Sequence, residues 1–297
     1  MTNRKIVLGG GTGFVGKYLT EKFTNLGYKV IIISRQEDNI KWQDTKAIIE
    51  AIDNSELLIN LAGKSVDCRY NDKNKEEILI SRTETTKALG EAILQCSNPP
   101  ELWINSSTAT IYRHAEDRPM TESKGEIGSG FSVNIAKSWE KAFFDFELPK
   151  TRQVALRMAI VLGKNGGVMT PFINLVRFGL GGQQGNGKQM FSWIHIADLF
   201  NIITYLQTNK ELAGVYNCSS PNPIDNKTLM KIFRQTMNVK FGLPSPKLLL
   251  EIGAVFIQTE TELILKSRWV LPERLLDAGY TFKYPTIDKA VKNILDK

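Results

Sequence analysis

The chain has 297 residues, of which 42% are hydrophobic and 23% are charged, so it can form a substantial core and is not expected to be disordered. Its net charge of +7 comes from basic residues spread along the whole sequence, without a five-residue block of lysine and arginine. Nucleic-acid-binding proteins usually cluster their basic residues or carry a recognisable motif, and this sequence does neither. We therefore expect no nucleic-acid partner.

Cysteine and histidine are too sparse to predict a metal site. The three cysteines fit neither a metal motif nor a disulfide framework, and the two histidines lack the spacing of zinc ligands. This usage indicates a reducing, cytoplasmic location. No apolar signal segment precedes the first strand, and the apolar residues 248–258 include Glu251 and are too few to cross a bilayer. We expect no membrane association.

The first half of the chain alternates patterns typical of strands and helices. Apolar, often β-branched runs predict strands at 5–8, 29–33, 57–61, 102–106 and 153–162. Helical spacing predicts helices at 12–26 and 71–96, and another that contains Ile135, Trp139, Phe143 and Phe146. Strands separated by helices require parallel crossover connections. The pattern therefore predicts an α/β fold built on a doubly wound parallel sheet of the Rossmann type.

Beyond residue 163 the alternation gives way to glycine-rich stretches and then to clustered prolines. We predict a dinucleotide-binding Rossmann domain over residues 1–219, with a loop excursion at 164–190 toward the substrate lobe. Residues 220–297 are predicted to form that small C-terminal substrate lobe, laid over the sheet edge. One or two strands of the second half are expected to return to the sheet.

The most informative motif is Lys5-Ile-Val-Leu-Gly-Gly-Gly-Thr-Gly-Phe-Val-Gly16, which follows a strand and leads into a helix. Its glycines fit both G-x-G-x-x-G and G-x-x-G-x-x-G, with Gly13 and Gly16 common to the two spacings. A tight turn without a ligand would also use glycine, but the order strand, loop, helix favours a dinucleotide whose pyrophosphate lies at the helix N-terminus. The cofactor contacts expected in this loop are Gly10, Thr12, Gly13, Phe14, Val15 and Gly16.

The second strand ends in Ser34-Arg35, where an NAD-specific enzyme usually has an acidic residue for the ribose 2′-hydroxyl. An arginine can instead bind a 2′-phosphate through two charge-assisted hydrogen bonds. An exposed loop arginine is the alternative, and Asp38 lies too far along the chain to replace the missing acid. Ser34 and Arg35 therefore predict NADP (NADPH) as the cofactor.

The order of these features resembles the extended short-chain dehydrogenase/reductases. Asn60-Leu-Ala-Gly63 is similar to the strand-end motif beside the adenine and its ribose. The segment Asn105-Ser-Ser-Thr-Ala-Thr-Ile-Tyr112 resembles the serine-rich strand end, where one hydroxyl faces the reacting carbon. Arg157-Met-Ala-Ile-Val-Leu-Gly163 resembles the strand that approaches the nicotinamide, and Trp193-Ile-His-Ile-Ala-Asp198 the segment that returns from the substrate lobe.

Further segments resemble an atypical epimerase-like subgroup with a C-terminal domain of unknown function. They are Ile80-Ser-Arg-Thr-Glu-Thr-Thr86, Ser138-Trp-Glu140, Phe191-Ser-Trp-Ile-His195 and Val270-Leu-Pro-Glu-Arg-Leu-Leu-Asp-Ala-Gly-Tyr280 with Tyr284-Pro-Thr286. The resemblance implies a small-molecule substrate and further cofactor contacts. Those contacts are Leu61, Ala62, Gly63, Arg82, Met158 and Ile160.

One element of the family pattern is missing. Enzymes of this kind usually carry Tyr-x-x-x-Lys on the helix after the serine strand, where the lysine lowers the pKa of the tyrosine. If Glu140 aligns with the family glutamate, the two positions hold Ser132 and Ala136. The pair Tyr18 and Lys22 has the correct spacing but lies in the first helix, so we expect it to be a surface pair.

The remaining catalytic candidates come from other segments. Ser107 or Thr108 would hold the substrate oxygen, although both could instead cap a strand end. Tyr112, His195 or a bound water would handle the proton, although a packing tyrosine and a structural histidine are the alternatives. Lys64, Ser65 and Trp193 are expected to wall the substrate pocket. The sequence thus predicts an NADP-binding oxidoreductase or epimerase-like enzyme acting on a carbonyl or carbinol. The alternative is a non-catalytic dinucleotide-binding or redox-sensing protein.

Overall fold

The structure, a computed structural model, describes residues 4–164, 166–246 and 265–296. Its strands are β1 (Lys5–Gly9), β2 (Lys29–Ile33), β3 (Leu57–Asn60), β4 (Leu102–Thr108), β5 (Arg152–Met158), β6 (Ile160–Leu162), β7 (Met190–Phe191), β8 (Trp193–His195), β9 (Gly214–Cys218) and β10 (Ile224–Asp225). The central sheet has six strands in the order β2-β1-β3-β4-β5-β9, and every pair in it is parallel.

Helices cover both faces of this sheet. They are α1 (Phe14–Asn25), α2 (Thr45–Ile52), α3 (Asp72–Gln95), α4 (Phe131–Phe144), α5 (Met169–Arg177), α6 (Ile196–Thr208), α7 (Asn226–Thr236), α8 (Glu273–Asp277) and α9 (Ile287–Leu295). Alternate residues of β1 point to opposite faces: Ile6 packs with α1 and α6, whereas Val7 packs with α2, α3 and α4. The predicted doubly wound Rossmann fold is therefore confirmed.

The strand predicted at 153–162 is in fact two strands. The chain leaves the central sheet at Ala159, whose N–H donates to the carbonyl of Cys218 over 3.0 Å. Ile160 then donates to the carbonyl of Ser192, and β6 pairs in parallel with β8 in a separate small sheet. A continuous apolar run is expected of either arrangement, so only the tertiary partners distinguish them.

Two hydrophobic cores cover the two faces of the central sheet. The second half of the chain builds a third core beside the small sheet, formed by buried residues of β6, α5, β8, α7 and α9. The segment predicted as a loop excursion at 164–190 contains α5, because Met169 and Val176 are buried against α7 and Trp193. One strand of the second half, β9, returns to the central sheet. Among the described residues, no helix is long and apolar enough to cross a membrane. The apolar stretch noted at 248–258 lies outside the described residues.

The C-terminal residues also pack back onto the central sheet. Leu275, Tyr280 and Phe282 join the core that covers the α1 and α6 face. Asp198, in the first turn of α6, is completely buried and accepts hydrogen bonds from two backbone N–H groups, that of residue 283 at 2.7 Å and that of Tyr284 at 2.8 Å. Contacts therefore cross residue 219, and the division of the chain at that point stays a prediction.

Candidate functional site

A cleft of about 400 Å³ opens at the carboxyl ends of β1, β3, β4 and β5. Parallel strands of a doubly wound sheet place their following loops at one edge, which is where such folds bind ligands. The glycine loop forms one side of the cleft, and the ends of β3 and β4 form its floor. The amino-terminal half of α4 and the chain around Ala159 form the other side.

The glycine loop contains two glycines that packing requires and one that it does not. Gly10 has a φ of +75°, and a Cβ added there would lie 2.6 Å from the Cα of Ala62. A Cβ on Gly16 would lie 2.3 Å from the carbonyl oxygen of Gly11, so the start of α1 can approach the turn only with glycine there. A Cβ on Gly13 would meet nothing within 4 Å. Gly13 therefore borders open space, as a residue beside a bound pyrophosphate would.

Helix α1 begins at this open space without a side-chain cap. Its N-cap, Gly13, provides no side-chain hydrogen bond, and its first turn has no acidic residue. In contrast, Asp44 caps α2 through the N–H of Ala47, and Asn71 caps α3 through that of Asn74. The first N–H groups of α1 and its positive dipole end thus suit an anionic phosphate.

The end of β2 lies beside the glycine loop, where the N–H of Gly10 donates to the carbonyl of Ile33 over 2.8 Å. Ser34 is buried, and its hydroxyl accepts hydrogen bonds from the N–H of Gln36 and the side chain of Asn39, both at 3.0 Å. Ser34 therefore stabilises the turn, whereas the next residue, Arg35, is exposed.

A buried polar network fixes the floor of the cleft. The Asn60 amide donates to Thr86 at 3.0 Å and to Asn105 at 2.7 Å, and its oxygen accepts the N–H of Ala62 at 3.0 Å. The indole of Trp139 donates to the same Thr86 hydroxyl at 3.0 Å. The network joins β3, β4, α3 and α4, so it fixes the loop after β3 where it lines the cleft.

Arg82 brings a cation to the cleft. Its guanidinium donates to the carbonyl of Ile78 at 3.0 Å and lies 5.1 Å from the ring of Trp139. Within the described part of the chain it forms no ion pair, and burial lowers its pKa to about 10. A Cβ on Gly63 would lie 3.0 Å from the guanidinium carbon, so Gly63 lets Arg82 approach the end of β3. Such an arginine is suited to bind an anion.

Ser107 and Thr108, the last two residues of β4, both line the cleft. The Ser107 hydroxyl donates to Glu140 at 2.5 Å, whereas the Thr108 oxygen accepts the N–H of Thr110 at 3.1 Å. Glu140 is bound by two parallel hydrogen bonds from Arg157, at 2.8 and 2.7 Å. Burial alone would lower the pKa of Arg157, but its hydrogen bonds and attraction to Glu140 outweigh burial and raise it. The ion pair thus orients the Ser107 hydroxyl.

Several of the predicted cofactor contacts line the cleft: Gly10, Gly13, Phe14, Val15, Gly16, Leu61, Gly63, Arg82 and Met158. The others are neighbours of these residues or lie at the end of β2: Thr12, Ser34, Arg35, Ala62 and Ile160. Of the predicted catalytic residues, Ser107 and Thr108 reach the cleft.

Tyr112 and His195 do not line the cleft. The Tyr112 hydroxyl donates to Asn217 and accepts from Arg157, both at 2.9 Å, and burial raises its pKa. The imidazole of His195 is buried in the third core, 4.0 Å from the ring of Tyr284, and burial lowers its pKa to about 4. Both side chains are therefore committed to packing and hydrogen bonds away from the cleft.

The predicted substrate wall does not form either. Trp193 is on the same face of β8 as His195 and is completely buried in the third core. The Lys64 ammonium donates to Asn74 at 2.7 Å and pairs with Glu77, and the exposed Ser65 hydroxyl accepts a backbone N–H. The structure does not bring Trp193, Lys64 and Ser65 to the cleft.

Other side chains take their place along the cleft: Val66, Tyr70, Phe131, Ser132, Ile135 and Trp139. None of them is among the site residues predicted from the sequence. Phe131, Ile135 and Trp139 are four residues apart, so they share one face of α4, and that spacing was the available signal. Nothing in the sequence indicated that the loop before α3 would bring Tyr70 against this face.

Comparison with known proteins shows the family of the chain. The model of the NAD dependent epimerase/dehydratase family matches residues 6–219. The chain belongs to this family. A second model, Domain of unknown function (DUF1731), matches residues 245–294, so the resemblance to an epimerase-like subgroup with such a domain is confirmed.

Individual members of the epimerase family match over nearly their full length. The human epimerase family protein SDR39U1 is 32% identical over 302 residues, which cover 98% of this chain and 99% of the relative. The Bacillus subtilis epimerase family protein YfhF is 30% identical and is covered to 97%, again over 98% of this chain. A crystal structure of human SDR39U1 (isoform 2) with NADPH has a TM-score of 0.88 at 31% identity and covers 98% of both chains.

Proposed function

We propose that this epimerase-family protein binds NADPH in the cleft and transfers hydride between the nicotinamide and a carbonyl or carbinol carbon. The observation that carries the proposal is the open space at Gly13, between two glycines that packing requires. An uncapped helix N-terminus faces that space. The crystal structure of the similar human protein contains NADPH, which supports the choice of cofactor.

Different residues of the cleft would bind different parts of the cofactor. The glycine loop and the first turn of α1 would hold the pyrophosphate through backbone N–H groups, and Arg82 would add a positive charge. Arg35, exposed at the end of β2, would bind the 2′-phosphate. Leu61 and Met158 would contact the adenine and nicotinamide ends. Bound NADPH supplies a hydride at nicotinamide C4.

The opposite end of the cleft would hold the substrate. Ser107 and Thr108 lie at the end of β4, and either can hydrogen-bond a substrate oxygen. Because the Ser107 hydroxyl donates its hydrogen bond to Glu140, its oxygen is oriented to accept a hydrogen bond from a carbinol. The apolar side chains of Phe131 and Ile135 would exclude water from the transfer.

A second candidate is a protein that binds NADPH without turning it over. The absence of the family's catalytic pair favours this candidate. The positions at which the tyrosine and the lysine are expected hold Ser132 and Ala136, and Ala136 is completely buried. Titration with NADPH, followed by mixing of the complex with a panel of carbonyl compounds, separates the two functions. Binding with oxidation of NADPH supports the enzyme, binding without oxidation supports the second candidate, and absence of binding refutes both.

A further inference from the structure

The guanidinium of Arg82 lies flat against the loop that follows β3. A Cβ added to Gly63 would lie 3.0 Å from the central carbon Cζ of Arg82, 3.1 Å from Nη2 and 3.2 Å from Nη1. Because the three distances are nearly equal, that position lies over the face of the planar group and not at its edge. A guanidinium forms hydrogen bonds through the N–H groups at its edge, so contact with Gly63 does not occupy them.

A second contact with the guanidinium comes from Trp139. The centroid of its ring lies 5.1 Å from the Cζ of Arg82, within the range of a cation–π interaction, for which tryptophan is the best partner. Arg82 is on α3 and Trp139 is on α4, and both line the cleft. The contact therefore joins the two helices at the cleft.

The indole of Trp139 is itself held in one orientation by a buried hydroxyl. Its N–H donates to Thr86 at 3.0 Å. The Thr86 oxygen also accepts the amide of Asn60 at 3.0 Å, and it donates to the oxygen of Asn105 at 3.4 Å. A hydroxyl can accept two hydrogen bonds and donate one, so Thr86 makes all three. Rotation of the indole would break a buried hydrogen bond, and the ring is thus kept beside Arg82.

The contacts of Arg82 hold its charge in place without neutralising it. Nη1 donates to the carbonyl of Ile78, one turn earlier in α3, at 3.0 Å. The other two contacts are a glycine and an aromatic ring, and within the described part of the chain Arg82 forms no ion pair. Such a cation can bind the phosphate of a ligand without first leaving a carboxylate.

We propose that Trp139 and Gly63 are positioning residues that hold the guanidinium of Arg82 for the cofactor pyrophosphate; this rests on the proposed function. Helix α4 lacks the tyrosine and lysine that the family carries there, and through Trp139 it would contribute to cofactor binding instead. Trp139 and Gly63 also line the cleft, so direct contact with the cofactor is the alternative that the test has to separate.

The test measures NADPH affinity by fluorescence titration in the presence and absence of Arg82. Trp139→Leu removes the aromatic ring, and Gly63→Ala adds the Cβ that would lie 3.0 Å from the guanidinium. Each substitution is made in wild type and in Arg82→Ala. A residue that acts through Arg82 loses its effect once Arg82 is absent. A residue that contacts the cofactor, or that only stabilises the fold, keeps its effect.

We expect Arg82→Ala to weaken NADPH binding about 10- to 100-fold, as loss of a hydrogen bond to a charged group does. Trp139→Leu should weaken binding about 3- to 30-fold. Gly63→Ala should weaken it by a smaller factor, because the end of a long side chain can move aside. In the Arg82→Ala background, neither substitution should weaken binding further. Trp139→Phe keeps an aromatic face for the cation and should bind NADPH more tightly than Trp139→Leu.

Phe143→Leu is the matched control. Phe143 lies one turn after Trp139 on α4 and is completely buried, with its ring 4.6 Å from that of Trp103. It is not among the described residues that line the cleft. The substitution removes an aromatic ring from the same helix, so it should lower the free energy of unfolding and leave NADPH affinity unchanged. Gly63 is exposed, so Gly63→Ala should fold, and it tests the position of the guanidinium even if Trp139→Leu does not fold.

The outcomes separate the two proposals. Unchanged affinity in Trp139→Leu or Gly63→Ala, or the same loss with and without Arg82, overturns the positioning role of that residue and leaves the proposed function standing. If Arg82→Ala binds NADPH as tightly as wild type, both positioning roles fall, and cofactor binding by the glycine loop still stands. If wild type does not bind NADPH, the proposed function falls as well.

Discussion

Two glycines of the same loop are expected to respond oppositely to a side chain. In Gly13→Val the new atoms enter open space, and the backbone φ of −80° is one that valine adopts without strain. Loss of glycine at this N-cap costs about 1 kcal/mol, so the variant should fold. The same atoms would, however, occupy the space proposed for the pyrophosphate.

The expected loss of affinity follows from the contacts that valine would displace. A hydrogen bond to a charged group contributes about 1.5–3 kcal/mol, so losing two of them weakens NADPH binding by at least about 100-fold. Gly16→Ala should behave differently, because its Cβ would lie 2.3 Å from a backbone oxygen. That overlap should lower the free energy of unfolding by about 1–3 kcal/mol or more.

Urea denaturation and NADPH fluorescence titration of both variants would measure these effects. The reasoning is refuted if Gly13→Val folds and binds NADPH as tightly as wild type, since the open space would then not be the phosphate site. It is also refuted if Gly16→Ala is as stable as wild type, since the close approach of α1 to the turn would then not require glycine.

Further variants test the 2′-phosphate site, the buried histidine of β8 and the ion pair behind the cleft. Arg35→Ala should weaken NADPH binding about 10- to 100-fold and leave NADH binding unchanged, and equal affinity of wild type for the two cofactors would contradict the 2′-phosphate assignment. A histidine of the unfolded chain binds a proton near pH 6.5, whereas His195 in the folded protein binds one only near pH 4. The free energy of unfolding should therefore fall by up to about 3 kcal/mol as the pH drops from 6.5 to 4. In denaturation at several pH values, His195→Gln should flatten this dependence, and the control His114→Gln, at an exposed position, should not. Glu140→Ala should destabilise the fold by about 3–5 kcal/mol, because it leaves Arg157 buried without its carboxylate, and the double variant with Arg157→Met should recover part of the loss in the same denaturation assay.

Four strands of the central sheet, β1 to β4, could be predicted because each is a largely apolar run between helical patterns, whereas β9 was expected only as one of the strands that return to the sheet. Continuous β-branched runs between helices identify such strands without knowledge of their neighbours. The break at Ala159 could not be predicted, since it depends on hydrogen bonds to Cys218 and Ser192, which lie far along the chain. Helix α2 was missed although Asp44 caps it and Ile48 and Ile52 share its buried face. That signal is local, so α2 could have been predicted from the sequence.

The two ends of the site also differ in how far they could be predicted from the sequence. The cofactor end is encoded in one short segment, so its motif is visible in the sequence. The substrate end is assembled from α4 and the loops before α3 and around Ala159, and its composition depends on how these pack. Trp193 and His195 lie on one face of β8, as their spacing of two residues predicts. The sequence does not say which face of that strand meets the cleft. Tyr70 was missed because Phe131, the ring it packs against, lies 61 positions further along the chain.

The return of the C-terminal residues to the central sheet has a consequence for how the chain folds as it is made. The N-terminus of a protein leaves the ribosome first, and domains commonly fold as they emerge. When β9 has emerged, all six strands of the sheet are present, but the face covered by Leu275, Tyr280 and Phe282 is still open to water. The buried carboxylate of Asp198 also still lacks its backbone donors. A nascent chain of this length therefore exposes an apolar surface that a chaperone would bind, until residues 275–284 have left the exit tunnel.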